Sequence, residues 1–331
     1  MTDTPAVSVI VPFYNGASFA APIAEMLRRQ TFSDFELVAV NDGSTDDTSD
    51  RLHALTGAGL PFSVTVLDRE NGGVASARNA GAAAARGRWL CFLDDDDEIP
   101  ACFLSVLYRA ATDKKTDLAL GKVTRSGTDL YHGTKSDAET VRRDDFLRTY
   151  LYEGIGYSHC CALMARDLFD RAGGYPEGYR YSEDVFLLWT LIALCDRISV
   201  VPHALYYYAF NPASAMNKTM TADRTDAVRL MERLEPVMDR LAPAFAPEFR
   251  RYCVARHYWS ILWQAAGCFG SYAAFRDYLA VFPAMAEQMA KLSDYPDRKI
   301  RLTAALYRKS PRLYYRAMHL YVTKFKSRGS L

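Results

Sequence analysis

Four short apolar runs, Val7–Val11, Phe35–Val40, Ser63–Leu67 and Trp89–Leu93, recur at roughly 27-residue intervals through the first hundred residues. Each is rich in Val, Ile, Leu or Phe and ends on polar or turn-forming residues, as a strand buried on both faces does. Helical stretches lie between them: Ile23, Met26 and Leu27 share one face, and Ala75 to Arg86 is alanine-rich. Strand–helix alternation of this kind predicts βαβ units and an open α/β sheet, mostly parallel, with helices on both faces. Ligands of such sheets sit at the carboxyl ends of the strands.

Further along, Pro100 to Pro212 mixes helices with shorter strands, among them Leu118–Val123 and Ile198–Tyr208, and beyond about Thr221 the pattern is almost wholly helical. The expected organisation is an α/β domain over 1–222, with halves 1–100 and 101–222, followed by a helical C-terminal region over 223–331. A formal net charge of +1 gives no global field for nucleic acid, so no nucleic-acid partner is expected. The charge is uneven, however. From Pro296 onward there are ten Lys/Arg and one acid, a balance of +9, while the remainder holds 30 basic and 38 acidic residues, a balance of −8.

Helical projection of the tail puts Arg312, Arg316, His319, Thr323 and Lys326 on one face and Tyr314, Met318, Tyr321 and Phe325 on the other. That pattern suits an anionic membrane surface, and equally a terminal helix packed on the protein with its basic face in water. Seven cysteines without a CxxC pair do not form a disulfide framework. Met1 to Pro5 does not read as a signal peptide, and Leu187–Cys195 is too short to span a bilayer. A cytoplasmic location is expected, peripheral at the inner face of the plasma membrane if the tail binds lipid.

The polar residues cluster at the strand ends. After the first run comes Pro12-Phe-Tyr-Asn-Gly16, where the proline is expected to stop sheet pairing. After the second, in Asn41-Asp-Gly-Ser-Thr-Asp-Asp47, Asp42 is placed to accept hydrogen bonds from a base or ribose, while Ser44 and Asp46 also suit helix caps. After the third, Asn71-Gly-Gly-Val-Ala-Ser-Ala-Arg-Asn-Ala-Gly81 offers paired glycines as a phosphate cradle and Arg78 as a forked charge for a diphosphate. The same stretch also reads as a plain loop with a surface arginine. After the fourth, five consecutive acids, Asp94 to Glu98, repel one another and supply the hard oxygen ligands that Mg²⁺ or Mn²⁺ requires beside a nucleotide. A solvated charge run is the plain alternative.

Taken together, Val7-Ser-Val-Ile-Val-Pro-Phe-Tyr-Asn15, Phe35-Glu-Leu with Asn41-Asp-Gly-Ser-Thr-Asp46, Gly73-Val-Ala-Ser-Ala-Arg-Asn79 and Phe92-Leu-Asp-Asp-Asp-Asp97 closely resemble family 2 glycosyltransferases, inverting enzymes of the GT-A fold that build bacterial cell-surface polysaccharides. The resemblance covers about Val7 to Ser214. It implies a nucleotide-diphospho-sugar donor, most commonly a UDP-sugar, a glycan or lipid-linked acceptor, and Mn²⁺ or Mg²⁺ as cofactor. Residues 1–100 would then be the nucleotide-binding half and 101–222 the acceptor half.

Residue by residue, it implies donor contacts from Pro12, Tyr14, Asn15, Asp42, Gly73, Arg78, Asp94 and Asp95, with Tyr14 near the base. Asp96 is the implied metal ligand and Asp94 lies near it and the ribose; Asp95 and Asp97 stay open as the closer ligand. Gly173-Gly-Tyr-Pro-Glu-Gly-Tyr-Arg-Tyr-Ser-Glu-Asp184 resembles the family's approach to its catalytic pair, which puts the general base on Asp184 with Glu183 beside it. Two acids opening the helix after Ser182 also read as a helix N-terminus.

Tyr157 and His159 are candidates for the acceptor pocket, although a lone histidine is more often structural. Tyr206 to Ser214 resembles a segment that closes over the donor, and Trp189, Trp259 and Trp263 read as core. Two other classes compete. A nucleotidyl- or phosphoryltransferase would use the acids but leave Asp42 and Glu183–Asp184 without a role. A non-catalytic sugar-nucleotide-binding partner would not need the intact acids.

Overall fold

The structure, a computed structural model, describes residues 4–153, 156–209 and 220–326. Its first half alternates β1 (Val7–Phe13), α1 (Ala20–Arg28), β2 (Phe35–Asp42), α2 (Thr48–Thr56), β3 (Ser63–Arg69), α3 (Val74–Ala84) and β4 (Trp89–Phe92). There follow α4 (Phe103–Lys114), β5 (Leu118–Thr124), β6 (Glu139–Arg142), α5 (Arg143–Glu153), β7 (Tyr157–Ala165), α6 (Arg166–Ala172), α7 (Glu183–Leu194) and β8 (Arg197–Tyr207). The described strands form one eight-stranded sheet in the order β3-β2-β1-β4-β7-β5-β8-β6. β1 to β4, β5 and β8 run one way; β7 and β6 run against their neighbours.

Every residue of β1 and β2 is buried, which requires helices on both faces and explains their unbroken apolar runs. α3 reaches the sheet closely because its packed positions are small: a Cβ on Gly81 would lie 2.5 Å from Ile10 Cγ2. Arg166, at the start of α6, closes the far end of α3 by donating to the carbonyls of Ala82 and Ala85 at 2.9 and 2.7 Å.

Two details differ from expectation. Pro12 does not end β1; it stays in register with Val40 of β2. Its missing N–H is harmless because β4 pairs with β1 only as far as Ile10, so the side of the strand that Pro12 faces, two residues past Ile10, has no β4 residue opposite. β6, polar and largely exposed, was not read as a strand. It is an edge strand, where alternating apolar residues are not needed.

The chain separates into two compact units, Met1–Tyr179 with Glu183–Asn211, and Arg180–Ser182 with Pro212–Leu331. The break thus comes earlier than residue 222, and a short insert belongs to the second unit. In that insert Arg180 Nη1 donates to Asp223 Oδ2 at 2.9 Å, and the Arg224 guanidinium lies 4.1 Å from the Tyr181 ring centre.

The second unit contains α8 (Thr225–Leu241), α9 (Ala246–Glu248), α10 (Val254–Cys268), α11 (Tyr272–Leu279), α12 (Met285–Lys291), α13 (Arg298–Lys309) and α14 (Pro311–Lys326). The projected faces of the tail need correction. Tyr314, Tyr315 and Val322 are buried, and His319, expected on the basic outer face, turns inward with Nδ1 2.9 Å from the Ala266 carbonyl. Leu313, Leu320 and Tyr321 are exposed instead. Two large rings and an imidazole that finds a carbonyl acceptor outcompete the leucines for the packed side. Phe325 and Lys326, also placed by the projection, have side chains outside the described residues. Among the described residues, no helix is long and apolar enough to cross a membrane.

Candidate active site

The loops after β1, β2 and β3 hold one another. The N–H of Asn15 donates to Ser44 Oγ at 2.9 Å, and Asn15 Oδ1 accepts from the N–H of Thr45 at 2.8 Å. Tyr14, between them and the strand, leaves its side chain 56% exposed, and Pro12 is buried. Asp42 is buried and accepts the N–H groups of Gly72 and Gly73 at 3.1 and 2.9 Å, one on each carboxylate oxygen. The paired glycines therefore do not form a vacant phosphate cradle: their amides close on Asp42. Gly73 has φ +85°, a left-handed conformation that suits glycine, and this lets its N–H turn back to the carboxylate.

Arg78 is not a surface arginine. It lies on the packed face of α3, 4% exposed, with Nη2 donating to Asp94 Oδ1 at 2.6 Å and Nη1 to Glu183 Oε1 at 3.2 Å. Its guanidinium stands 5.2 Å from the Tyr175 ring centre, and Nε is buried with no hydrogen-bond partner among the described residues. Both Nη groups are thus committed to carboxylates, rather than held as an open fork. Burial pushes the Asp94 carboxyl up, but the Arg78 charge and hydrogen bond outweigh it and leave Asp94 below the usual range. Glu183 goes the other way: burial and the adjacent Asp184 push it up to about 7 despite Arg78.

The acidic run divides by surroundings. Asp97 is buried, and its two oxygens accept from Tyr206 Oη at 2.8 Å and from the N–H of Ala209 at 3.0 Å, so it anchors the end of β8. Asp95, Asp96 and Asp97 border a cavity of about 730 Å³ whose other wall is Phe19, Ile23 and Met26 around α1. Burial, then the charges of Asp96 and Asp94, push Asp95 up to about 8. Crowded carboxylates at the mouth of a parallel sheet are a hard oxygen donor set that a divalent cation relieves, so these residues fit Mn²⁺ or Mg²⁺.

Asp184 is in the first turn of α7, with its side chain 34% exposed, and its Oδ2 lies 3.7 Å from His159 Nδ1. His159 itself is 3% exposed, beneath the acids, so it does not line an open acceptor pocket. Burial, then the Arg78 charge, push it down to about 4. Tyr157 packs edge-on against Phe146 with ring centres 5.1 Å apart. Of the stretch Tyr206 to Ser214, the part from 210 onward lies outside the described residues; Tyr206 is buried in the sheet and Tyr208 Oη donates to Ser158 Oγ at 2.6 Å.

Two contributors were not read from the sequence. Tyr175 is buried under Arg78 and is fixed by Asn79, whose Oδ1 accepts the Tyr175 N–H and whose Nδ2 donates to its carbonyl, both at 2.9 Å. Cys160 Sγ lies 3.6 Å from Asp94 Oδ2. The Arg-Asn pair at 78–79 was the available signal for the first.

The sequence that carries these strand-end loops matches a family model, Glycosyl transferase family 2, over residues 8–173, half of the 331-residue chain. The chain belongs to glycosyltransferase family 2. The uncharacterized glycosyltransferase EpsJ of Bacillus subtilis is 30% identical over 221 residues, 63% of this chain and 62% of EpsJ. The chain thus spans less than two thirds of the length of this curated relative.

Among solved structures, S. aureus TarS 1-349 in complex with UDP-GlcNAc aligns with a TM-score of 0.67 at 20% identity, covering 96% of this chain and 91% of that one. The mannosyltransferase PcManGT from Pyrobaculum calidifontis, in complex with GDP-Man and Mn²⁺, aligns with a TM-score of 0.54 at 20% identity, covering 94% and 89%. These likenesses carry the fold: a mostly parallel, GT-A-type α/β sheet, followed by a helical C-terminal region.

Proposed function

We propose that this family 2 glycosyltransferase moves a sugar from a nucleotide-diphospho-sugar, a UDP-sugar by preference, to a hydroxyl of a glycan or lipid-linked acceptor, with inversion at the anomeric carbon, in the building of a cell-surface polysaccharide. The observation that carries the reading is the Arg78 bridge, which brings Asp94, on the donor side, and Glu183, the neighbour of Asp184, to one guanidinium. A phosphoryl- or nucleotidyltransferase has no use for the Glu183–Asp184 pair. The UDP-GlcNAc complex of TarS and the GDP-Man and Mn²⁺ complex of PcManGT, which share the fold, add support.

In this mechanism Tyr14 offers its exposed ring to the base, Pro12 and Asn15 shape the loop beneath it, and Asp42 accepts from the nucleoside while holding Gly73 in place. Asp96 and Asp94, with Asp95 beside them, would hold Mn²⁺ or Mg²⁺, which when bound neutralises charge on the departing diphosphate. Asp184 takes the acceptor proton as the hydroxyl oxygen attacks, and the sugar–phosphate bond breaks on the opposite face. Glu183 and Arg78 fix the start of α7 and so the direction of the Asp184 carboxylate.

Lipid-linked acceptors bring the enzyme to the inner face of the plasma membrane. The outward side of α14, with exposed Leu313, Leu320 and Tyr321 next to Arg312 and Arg316, is suited to an anionic lipid surface. A thermal-shift panel of nucleotides with and without Mn²⁺, followed by diphosphate release from a nucleotide-sugar library, tests the activity. Stabilisation by UDP only with metal is the expected result, and a preference for nucleoside triphosphates would overturn it. Sedimentation of wild type and Leu313→Asp/Leu320→Asp with phosphatidylserine vesicles tests the surface; equal binding would remove it.

A further inference from the structure

Neighbouring side chains of a regular strand point to opposite faces, yet His159 and Cys160 point together. Between the register pairs Lys122↔Tyr157 and Leu120↔Ala162, the single residue Gly121 of β5 faces residues 158–161 of β7. Extra residues in a strand re-aim side chains, and here they bring His159 Nε2 to 3.1 Å from Cys160 Sγ. Asp94 Oδ2 is 3.6 Å from the same sulfur, and one ligand atom from each of the three residues lies within 4.8 Å of the others. Tetrahedral bonds of about 2.0–2.3 Å to zinc would space such atoms about 3.3–3.6 Å apart.

The remaining atoms of the cluster are already directed elsewhere. Arg78 takes Asp94 Oδ1, which leaves Oδ2 toward the sulfur. His159 Nδ1 lies 3.5 Å from Ser158 Oγ and 3.7 Å from Asp184 Oδ2, and Nε2 is the nitrogen nearer the sulfur. An imidazole with one nitrogen turned to a carboxylate and the other to a ligand set is the arrangement of metal-binding histidines. Cys160 is fully buried and His159 nearly so, while Asp94, 30% exposed, opens the cluster to solvent.

We propose that Asp94 Oδ2, His159 Nε2 and Cys160 Sγ form a site for a thiophilic divalent ion, Zn²⁺ before Mn²⁺, which draws Asp94 away from the oxygen donors at Asp96, and that filling it stops sugar transfer. Thiolate and imidazole select zinc over manganese. On binding, the Cys160 S–H bond breaks, its electron pair forms the Zn–S bond and the proton leaves to solvent; nothing is oxidised or reduced. The ion engages Asp94 and commits the Nδ1–H of His159 to Asp184. The inhibitory half rests on Asp184 being the base; the binding half does not.

Cobalt(II), a spectroscopic substitute for zinc, reads the site directly through a thiolate-to-cobalt absorption band. The band should appear in wild type and in Cys268→Ser, which removes the exposed cysteine, disappear on adding Zn²⁺, and be absent from Cys160→Ser. His159→Gln, which keeps the thiol, should lose cobalt affinity, and Asp184→Asn should weaken it about 10- to 100-fold. No band in wild type, a band that survives Cys160→Ser, or one lost in Cys268→Ser would overturn the site. In the Mn²⁺-supported assay, added Zn²⁺ should abolish transfer and a chelator with fresh Mn²⁺ should restore it. A cobalt band together with undiminished transfer in Zn²⁺ would retain the site and overturn its coupling to Asp184.

Discussion

Arg78 Nη1 donates to Glu183 Oε1 across 3.2 Å, tying α3 to a residue 105 positions later in the chain. With Asp94 on its other nitrogen, the guanidinium is a buried cation held between two carboxylates. Its removal should be felt in stability before it is felt in chemistry. Breaking a buried ion pair from one side typically costs about 3–5 kcal/mol, and Arg78→Met should show a loss of that order in urea unfolding. Arg78→Lys, a single ammonium that does not reach both acids in a fork, should recover only part of it.

The two acids opening α7 are expected to separate binding from turnover. Asp184→Asn should retain metal-dependent stabilisation by UDP and lose roughly 10²- to 10⁴-fold in kcat, the range of a general base. Transfer near the wild-type rate would assign the base elsewhere. Glu183→Gln, by contrast, should lower stability through Arg78 and affect kcat less.

Within the acidic run the roles should part cleanly. Asp96→Asn should abolish the Mn²⁺ dependence of nucleotide binding with little change in the melting temperature of the free protein. Asp97→Ala should lower that melting temperature, since it leaves Tyr206 Oη and the Ala209 N–H without their acceptor. Equal loss of metal response in both variants would contradict this division.

His159 gives a pH prediction with a definite sign. Its folded-state value, about 4, lies below the ordinary 6.5, so between these limits the unfolded chain takes up a proton that the folded chain does not. Its contribution to stability is complete above about 6.5 and is lost as pH falls toward about 4. Asp95, raised to about 8, slopes the other way. The informative quantity is therefore the difference in unfolding free energy between wild type and His159→Gln, which should shrink on acidification through that window.

Much of this was legible because β1, β2 and β4 are buried on both faces and so spell themselves out as apolar runs, with polar residues gathering where the strands stop. What escaped depends on distant partners. An arginine on an alanine-rich helix looks solvent-facing until acids 16 and 105 residues away supply its hydrogen bonds. The glycine loop looks open until Asp42, 30 residues earlier, takes its amides. Strand parity assigns His159 and Cys160 to opposite faces, and only the extra residues in β7 reverse that. In α14 the helical period was readable, but both faces carry rings, and the carbonyl of Ala266 decides which one turns inward.

Asp97 grips the Ala209 backbone while sharing a turn with the carboxylates expected to handle the ion. The chain leaving β8 is in effect tethered, at Ala209, to the acidic run proposed to hold the ion. A change in how the chain leaves β8 at Ala209, even where it alters no substrate contact, should therefore register as altered affinity for that ion.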